Sequence, residues 1–239
     1  MSVLAVGWIP GAPLLIPDLA GDDTSRDEEL RGQVQAVVAD VIEAVDSHPG
    51  ARLVVVGLAD EASTYAGTWD FAPLGLPIRG PGAGRLPTAL GIAAWFLDDA
   101  GFAGPRDYVG ISDRTPTAAC AALGRSLAAD SDIALLVVGD GSARRDEKAP
   151  GWLDSRASGF DEAAGRAFAD GDPQAVLALD AELARELMAA GRAPWQVAAG
   201  ATIAAPWQSS LLIESAPYGV GYIVARWLPH LDSNQEPAG

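Results

Sequence analysis

Histidine is almost absent from this chain. Among 239 residues there are two, His48 and His230. Neither stands at a predicted strand end, so no Ser-His-Asp triad can be assembled there. Cysteine occurs once, as Cys120. A lone cysteine excludes an intramolecular disulfide and any Cys/His zinc cluster, and it suits a reducing cytoplasmic compartment. Lysine also occurs once, as Lys148, outside any GxxxxGK phosphate loop. Long apolar runs are missing too. The opening Met1-Ser2-Val3-Leu4 has no basic n-region, so neither a signal peptide nor a membrane span is expected.

What is abundant is acid. Thirty-two Asp and Glu face 16 Lys and Arg, for a net charge of −16. Such a surface repels phosphate backbones and anionic membranes, so neither nucleic acid nor a membrane is an expected partner. At 49% hydrophobic residues the chain can bury a sizeable core. We expect one α/β domain over 1–228 and a polar, disordered tail over 229–239.

Val3 to Ile9 reads as a buried strand stopped by Pro10. Ser25 and Glu28 form a capping box. Beyond it Leu30, Val34, Val37, Val38, Val41, Ile42 and Val45 mark a long amphipathic helix ending near His48-Pro49-Gly50. Leu53–Leu58, Asp107–Ile111 and Ile133–Val138 read as further strands, with helices predicted over 86–100 and 116–129. The span 59–85, rich in Gly and Pro, reads as a long loop of the functional or mobile kind. From Gly159 to about Ala204 the pattern is helical, with breaks at Gly171-Asp172-Pro173 and Gly191. Trp207–Ile213 and Val220–Trp227 read as two closing strands. The alternation predicts a central, mostly parallel or mixed sheet flanked by helices.

In such sheets ligands bind outside the carboxyl ends of the strands. That rule selects Gly11 and Ala12, Asp60 and Glu61, Asp140 to Arg144, and Glu214 with Ser215. If Asp60, Glu61, Asp140 and Glu214 converge, they suit a hard cation or acid–base work. The competing expectation is that Asp60 and Asp140 simply accept turn amides. Gly139, Gly141 and Ser142 beside Arg144 could leave backbone donors free for an anion. Against this, Arg144 and Arg145 sit near Asp146 and Glu147, and a solvated charge cluster is the favoured reading. Cys120 in its Ala-rich helix reads as a core residue, as do most tryptophans.

Three segments resemble the LigB-like class III extradiol ring-cleavage dioxygenases and the related Memo proteins. Ile9-Pro10-Gly11-Ala12-Pro13-Leu14-Leu15-Ile16-Pro17 is similar to their P-H-P-P-L-L-V-P opening. Gly139-Asp140-Gly141-Ser142-Ala143-Arg144, followed by Ala149-Pro150-Gly151-Trp152-Leu153-Asp154, looks like G-D-x-S-H-R…A-P-x-G-Y-D. Ala216-Pro217-Tyr218-Gly219-Val220-Gly221-Tyr222 looks like A-P-F-G-V-G-Y. The closest likeness is to an uncharacterised actinobacterial branch.

The resemblance implies a helix-wrapped central sheet. In active members it also implies Fe(II) held by two histidines and a glutamate, with a further histidine moving protons. Carried over, the first ligand falls at Gly11, or Ala12 if the loop shifts by one. The second falls near Asp60 and Glu61, the acid–base histidine at Ala143, and the glutamate at Ser215 with Glu214 one residue early. The expectation is therefore a pseudoenzyme with no Fe(II) or other cofactor. It would use the old cleft for a small molecule or a protein partner. The alternative is an enzyme of another type, or an atypical metal-dependent dioxygenase, built on the strand-end carboxylates. Such domains commonly pair, so a homo-oligomer is also an open expectation.

Overall fold

The computed structural model describes residues 2–20 and 27–230. Its strands are β1 (Val3–Ile9), β2 (Arg52–Leu58), β3 (Ser63–Tyr65), β4 (Arg106–Ile111), β5 (Ile133–Val138), β6 (Trp207–Ser215) and β7 (Tyr222–Pro229). They form one seven-stranded sheet in the order β3-β4-β2-β5-β1-β7-β6. The inner strands β4, β2, β5 and β1 run parallel. β3 closes one edge antiparallel to β4, and β7 and β6 close the other as an antiparallel pair beside β1. The mixed α/β sheet expected from the sequence is the one observed.

The inner strands read as unbroken apolar runs because both their faces are covered. All six residues of β5 are buried. Successive side chains alternate between two cores. Leu53 and Val55 face α1 (Glu28–Asp46) and α2 (Thr88–Asp99). Val54 and Val56 face α3 (Thr117–Asp130), α4 (Ala157–Ala169), α5 (Pro173–Leu177), α6 (Ala181–Glu186) and α7 (Arg192–Thr202). In the second core Trp8 stacks on Phe168 at 4.4 Å and meets Trp227 edge-on at 5.1 Å. Those two tryptophans are core residues, as expected. Trp152 is not, being 66% exposed.

Helix boundaries follow local chemistry. α1 buries Leu30, Val34, Val37, Val38, Val41 and Val45 of the predicted stripe, and Ile42 is half-buried against the same core. Ser25 of the expected capping box, and the tail beyond His230, lie outside the described residues. The break at Gly171-Asp172-Pro173 is real: Asp172 caps α5 by accepting from the Gln174 and Ala175 amides. Asp180 caps α6 through the Leu183 amide. α3 and α7 cross in close contact at Gly124 and Gly200. A Cβ on Gly124 would lie 2.7 Å from the Ala201 nitrogen, and one on Gly200 would lie 2.6 Å from Ala121 Cα.

The span 59–85 is more structured than the sequence suggests. It contains β3 and a 3-10 turn over Ala72–Leu74. The Phe71 amide donates to Ile78 O at 3.0 Å, Gly80 to Trp69 O at 2.9 Å and Leu86 to Thr68 O at 3.0 Å. Trp69 Nε1 donates to Asp98 on α2 at 2.8 Å, which pins the excursion to the helix. Among the described residues no helix is long and apolar enough to cross a membrane.

Candidate functional site

The carboxyl ends of all four parallel strands open onto one cleft of about 960 Å³. Its floor is Gly11 after β1 and Gly139-Asp140 after β5. One wall is Leu58, Ala59 and Asp60 after β2, continued by Ser112, Asp113 and Arg114 after β4. The lining is completed by Pro87, Thr88 and Ala89 at the start of α2 and by Tyr65, Asp70 and Arg85 from the pinned excursion. This is the edge at which open α/β sheets bind ligands.

Asp140 is the deepest ionisable group. Its Oδ1 accepts from the Gly11 amide at 2.8 Å. Burial pushes its pKa up to about 6, and that amide offsets only part of the rise. Its carbonyl accepts from Gly191 at 2.7 Å, so the backbone beneath it is fixed. Nearby Tyr222 has its phenol pKa raised by its own burial, and further by the Asp140 charge.

The turn that carries Ser112, Asp113 and Arg114 is held by Arg192. This side chain is 2% exposed and has carbonyl partners. It donates to Thr115 O at 2.8 Å and to Asp113 O, and to Gln196 Oε1 at 3.2 Å. Burial lowers its pKa. Cys120 is buried beside it, as expected of a core cysteine, and burial raises its thiol pKa.

Of the predicted site residues, Gly11, Asp60 and Asp140 line the cleft. The other seven do not. Ala12 is buried beneath it, and Glu61 is exposed outside its lining. Glu214 points the wrong way: a Cβ on Gly165 of α4 would meet its Cδ at 2.8 Å. Ser215 pairs with Tyr222 across the strands, on the other face from Glu214. The expected convergence of four carboxylates therefore reduces to Asp60 and Asp140.

The expected anion nest at residues 139–144 is also overturned. The amide of Gly141 donates to Gly221 O, Ser142 to Asp161 Oδ1, Ala143 to Leu187 O and Arg144 to Ser142 Oγ. No amide from 141 to 144 is left for a ligand. Ser142 is buried with its hydroxyl on Leu187 O, and Arg144 faces Asp154 at 3.8 Å.

These bonds explain two of the recognisable segments as a structural knot. Asp161 on α4 is buried and accepts from the Ser142 amide at 2.7 Å and from Arg145 at 2.8 Å. A Cβ on Gly141 would lie 2.5 Å from Asp161 Oδ1, and one on Gly221 would lie 2.7 Å from its Cγ. Both glycines are required by close packing on one carboxylate.

The residues do not fit the ferrous centre that the resemblance implies. Gly11, Ala143 and Ser215 offer no imidazole or carboxylate. His48 Nδ1 lies 2.8 Å from Ala44 O behind α1, and His230 follows β7, both at the opposite edge of the sheet. Among the described residues no group of three His, Cys, Asp or Glu is placed to hold a metal ion.

Sequence reasoning missed Asp113, Arg114 and Arg85. The first two stand at the carboxyl end of β4, where the strand-end rule applies equally. Arg85 reaches the site only through the fold of the excursion, which has no short-range signature.

No family model matches the chain, and no curated protein matches it. Among solved structures it is similar to an uncharacterised protein of Escherichia coli K12, JW3007. The two are 15% identical with a TM-score of 0.51, over 94% of this chain and 99% of that one. The likeness is one of fold: the chain shares a helix-flanked α/β architecture with that protein over nearly its whole length.

Proposed function

We propose that this chain is a LigB-like α/β domain that has lost the ferrous chemistry of the extradiol dioxygenases and uses its carboxyl-edge cleft to bind a small molecule. One observation carries the reading. The cleft remains open and lined by charged groups, while Gly11, Ala143 and Ser215 occupy the positions where the resemblance calls for metal ligands and a proton carrier. A volume of about 960 Å³ suits a ligand of metabolite size.

The test is iron loading. The purified protein is incubated anaerobically with Fe(II), desalted and analysed by elemental mass spectrometry, and oxygen uptake is followed with catechol. We expect less than about a tenth of an equivalent of iron, since stable sites need their full ligand set, and no uptake. Near-stoichiometric iron that disappears in Asp60→Ala would sink the reading.

Asp140 alone favours a second reading, an enzyme of another type. A carboxyl group titrating at about 6 inside a cleft is poised for general acid–base catalysis. That reading expects a turnover abolished in Asp140→Asn. The binding reading expects ligand occupancy without turnover in either form.

A further inference from the structure

The cleft's polar side chains differ in whether the protein already satisfies them. Asp70 accepts from the Ala72 amide, and Asp113 from Ser112 Oγ. Asp140 uses one oxygen on Gly11. The side chains of Asp60, Arg85 and Arg114 make no hydrogen bond or ion pair among the described residues.

Free arginines are unusual in this molecule, where acids outnumber bases by 32 to 16. Among the described residues the other arginines donate to carboxylates, carbonyls or side-chain oxygens or, as Arg144 and Arg166 do, form an ion pair with a carboxylate at 3.8–3.9 Å. Arg52 holds Asp107, Arg106 holds Asp98, Arg145 holds Asp161 and Arg226 holds Asp40. Only Arg85, Arg114 and Arg125 lack such a partner among those residues, and the first two line the same cavity. A guanidinium presents a planar fork of donors that fits carboxylate and phosphate oxygens. The first turn of α2 opens on the same space, and no side chain caps it. Asp60 and the second oxygen of Asp140 supply acceptors.

We propose that the cleft takes a small organic oxyanion, a carboxylate or phosphate ester, that also carries hydroxyl or ammonium donors. Arg85 and Arg114 hold its anionic end, and Asp140 and Asp60 accept from its donors. The proposal rests on the reading of the cleft as a small-molecule site and names the ligand chemistry of that site.

The experiment is a ¹H–¹⁵N titration of the full chain with inorganic phosphate, with L-malate, and with ethanolamine as a cation. We expect phosphate and malate to shift the Thr88 and Ala89 amides and the Arg85 and Arg114 Nε signals saturably, malate more tightly. Arg85→Gln and Arg114→Gln should each weaken binding about tenfold, the scale of a lost charge-assisted hydrogen bond. Arg125→Gln, which removes a free arginine outside the cleft, should leave binding unchanged. Equal weakening by Arg125→Gln would mean unspecific charge attraction and would overturn the proposal. If ethanolamine alone saturates the Asp60 and Asp140 signals, the oxyanion proposal fails while the small-molecule reading stands. If no probe moves any cleft signal, both fail.

Discussion

Asp140 and Asp161 show how differently two carboxylates shielded from water can be employed. Asp140 has a single amide partner, and burial carries its pKa from 3.8 to about 6. The folded state therefore holds its proton at a pH where the unfolded chain has lost it. The resulting stability is fully present below 3.8, declines as pH rises, and is gone above about 6. Asp140→Asn keeps an oxygen for the Gly11 amide but carries no charge. It should stabilise the protein by about 1–2 kcal/mol at pH 8 and by almost nothing near pH 4, read from urea melts at both.

Asp161 is instead held by Arg145 and the Ser142 amide. Asp161→Ala would strand both donors and should cost about 3–5 kcal/mol, measured by the urea midpoint. The sequence puts Asp140 at the carboxyl end of a strand, because strand ends are legible. It passed over Asp161, because a charged residue in a helix reads as solvent-facing. The signal that could have found it was its place on the apolar stripe of Phe160, Ala164, Ala167 and Phe168.

At the scale of elements, glycines inside helices have opposite meanings that spacing alone does not reveal. Gly124 touches α7, so Gly124→Ala should destabilise by about 1–3 kcal/mol through overpacking. Gly32 in α1 has open space around it, with nothing within 4 Å of where a Cβ would stand. Gly32→Ala should therefore stabilise by about 0.5–1 kcal/mol, from helix propensity alone. Thermal melts of the two variants should move in opposite directions. The inner strands and α1 were legible because their apolar periodicity is strong. The 59–85 excursion was not. Its order comes from contacts such as Trp69 with Asp98, which join residues far apart in sequence. Trp152 and Met188 are exposed apolar residues with left-handed backbones, at φ 62° and 56°. Nothing in their spacing announced either feature.

For the molecule as a whole, charge is the dominant surface property. A net charge of −16 on a folded chain of this size produces self-repulsion that salt screens. The melting temperature should rise between low and physiological ionic strength. An unchanged melting temperature would mean that the carboxylates are too dispersed to repel. The composition made this legible without any structure. The composition could not show that two of the few arginines without a partner among the described residues line one cavity, because that depends on the fold.

The position of β1 has a consequence for biosynthesis. Its neighbours in the sheet are β5 and β7, residues 133–138 and 222–229. A nascent chain therefore carries the apolar strand Val3–Ile9 with one edge open until β5 emerges, and the other open until β7 does. Translation stalled before Tyr222 should yield a chain that recruits holdase chaperones or aggregates, and full-length synthesis should release it from them.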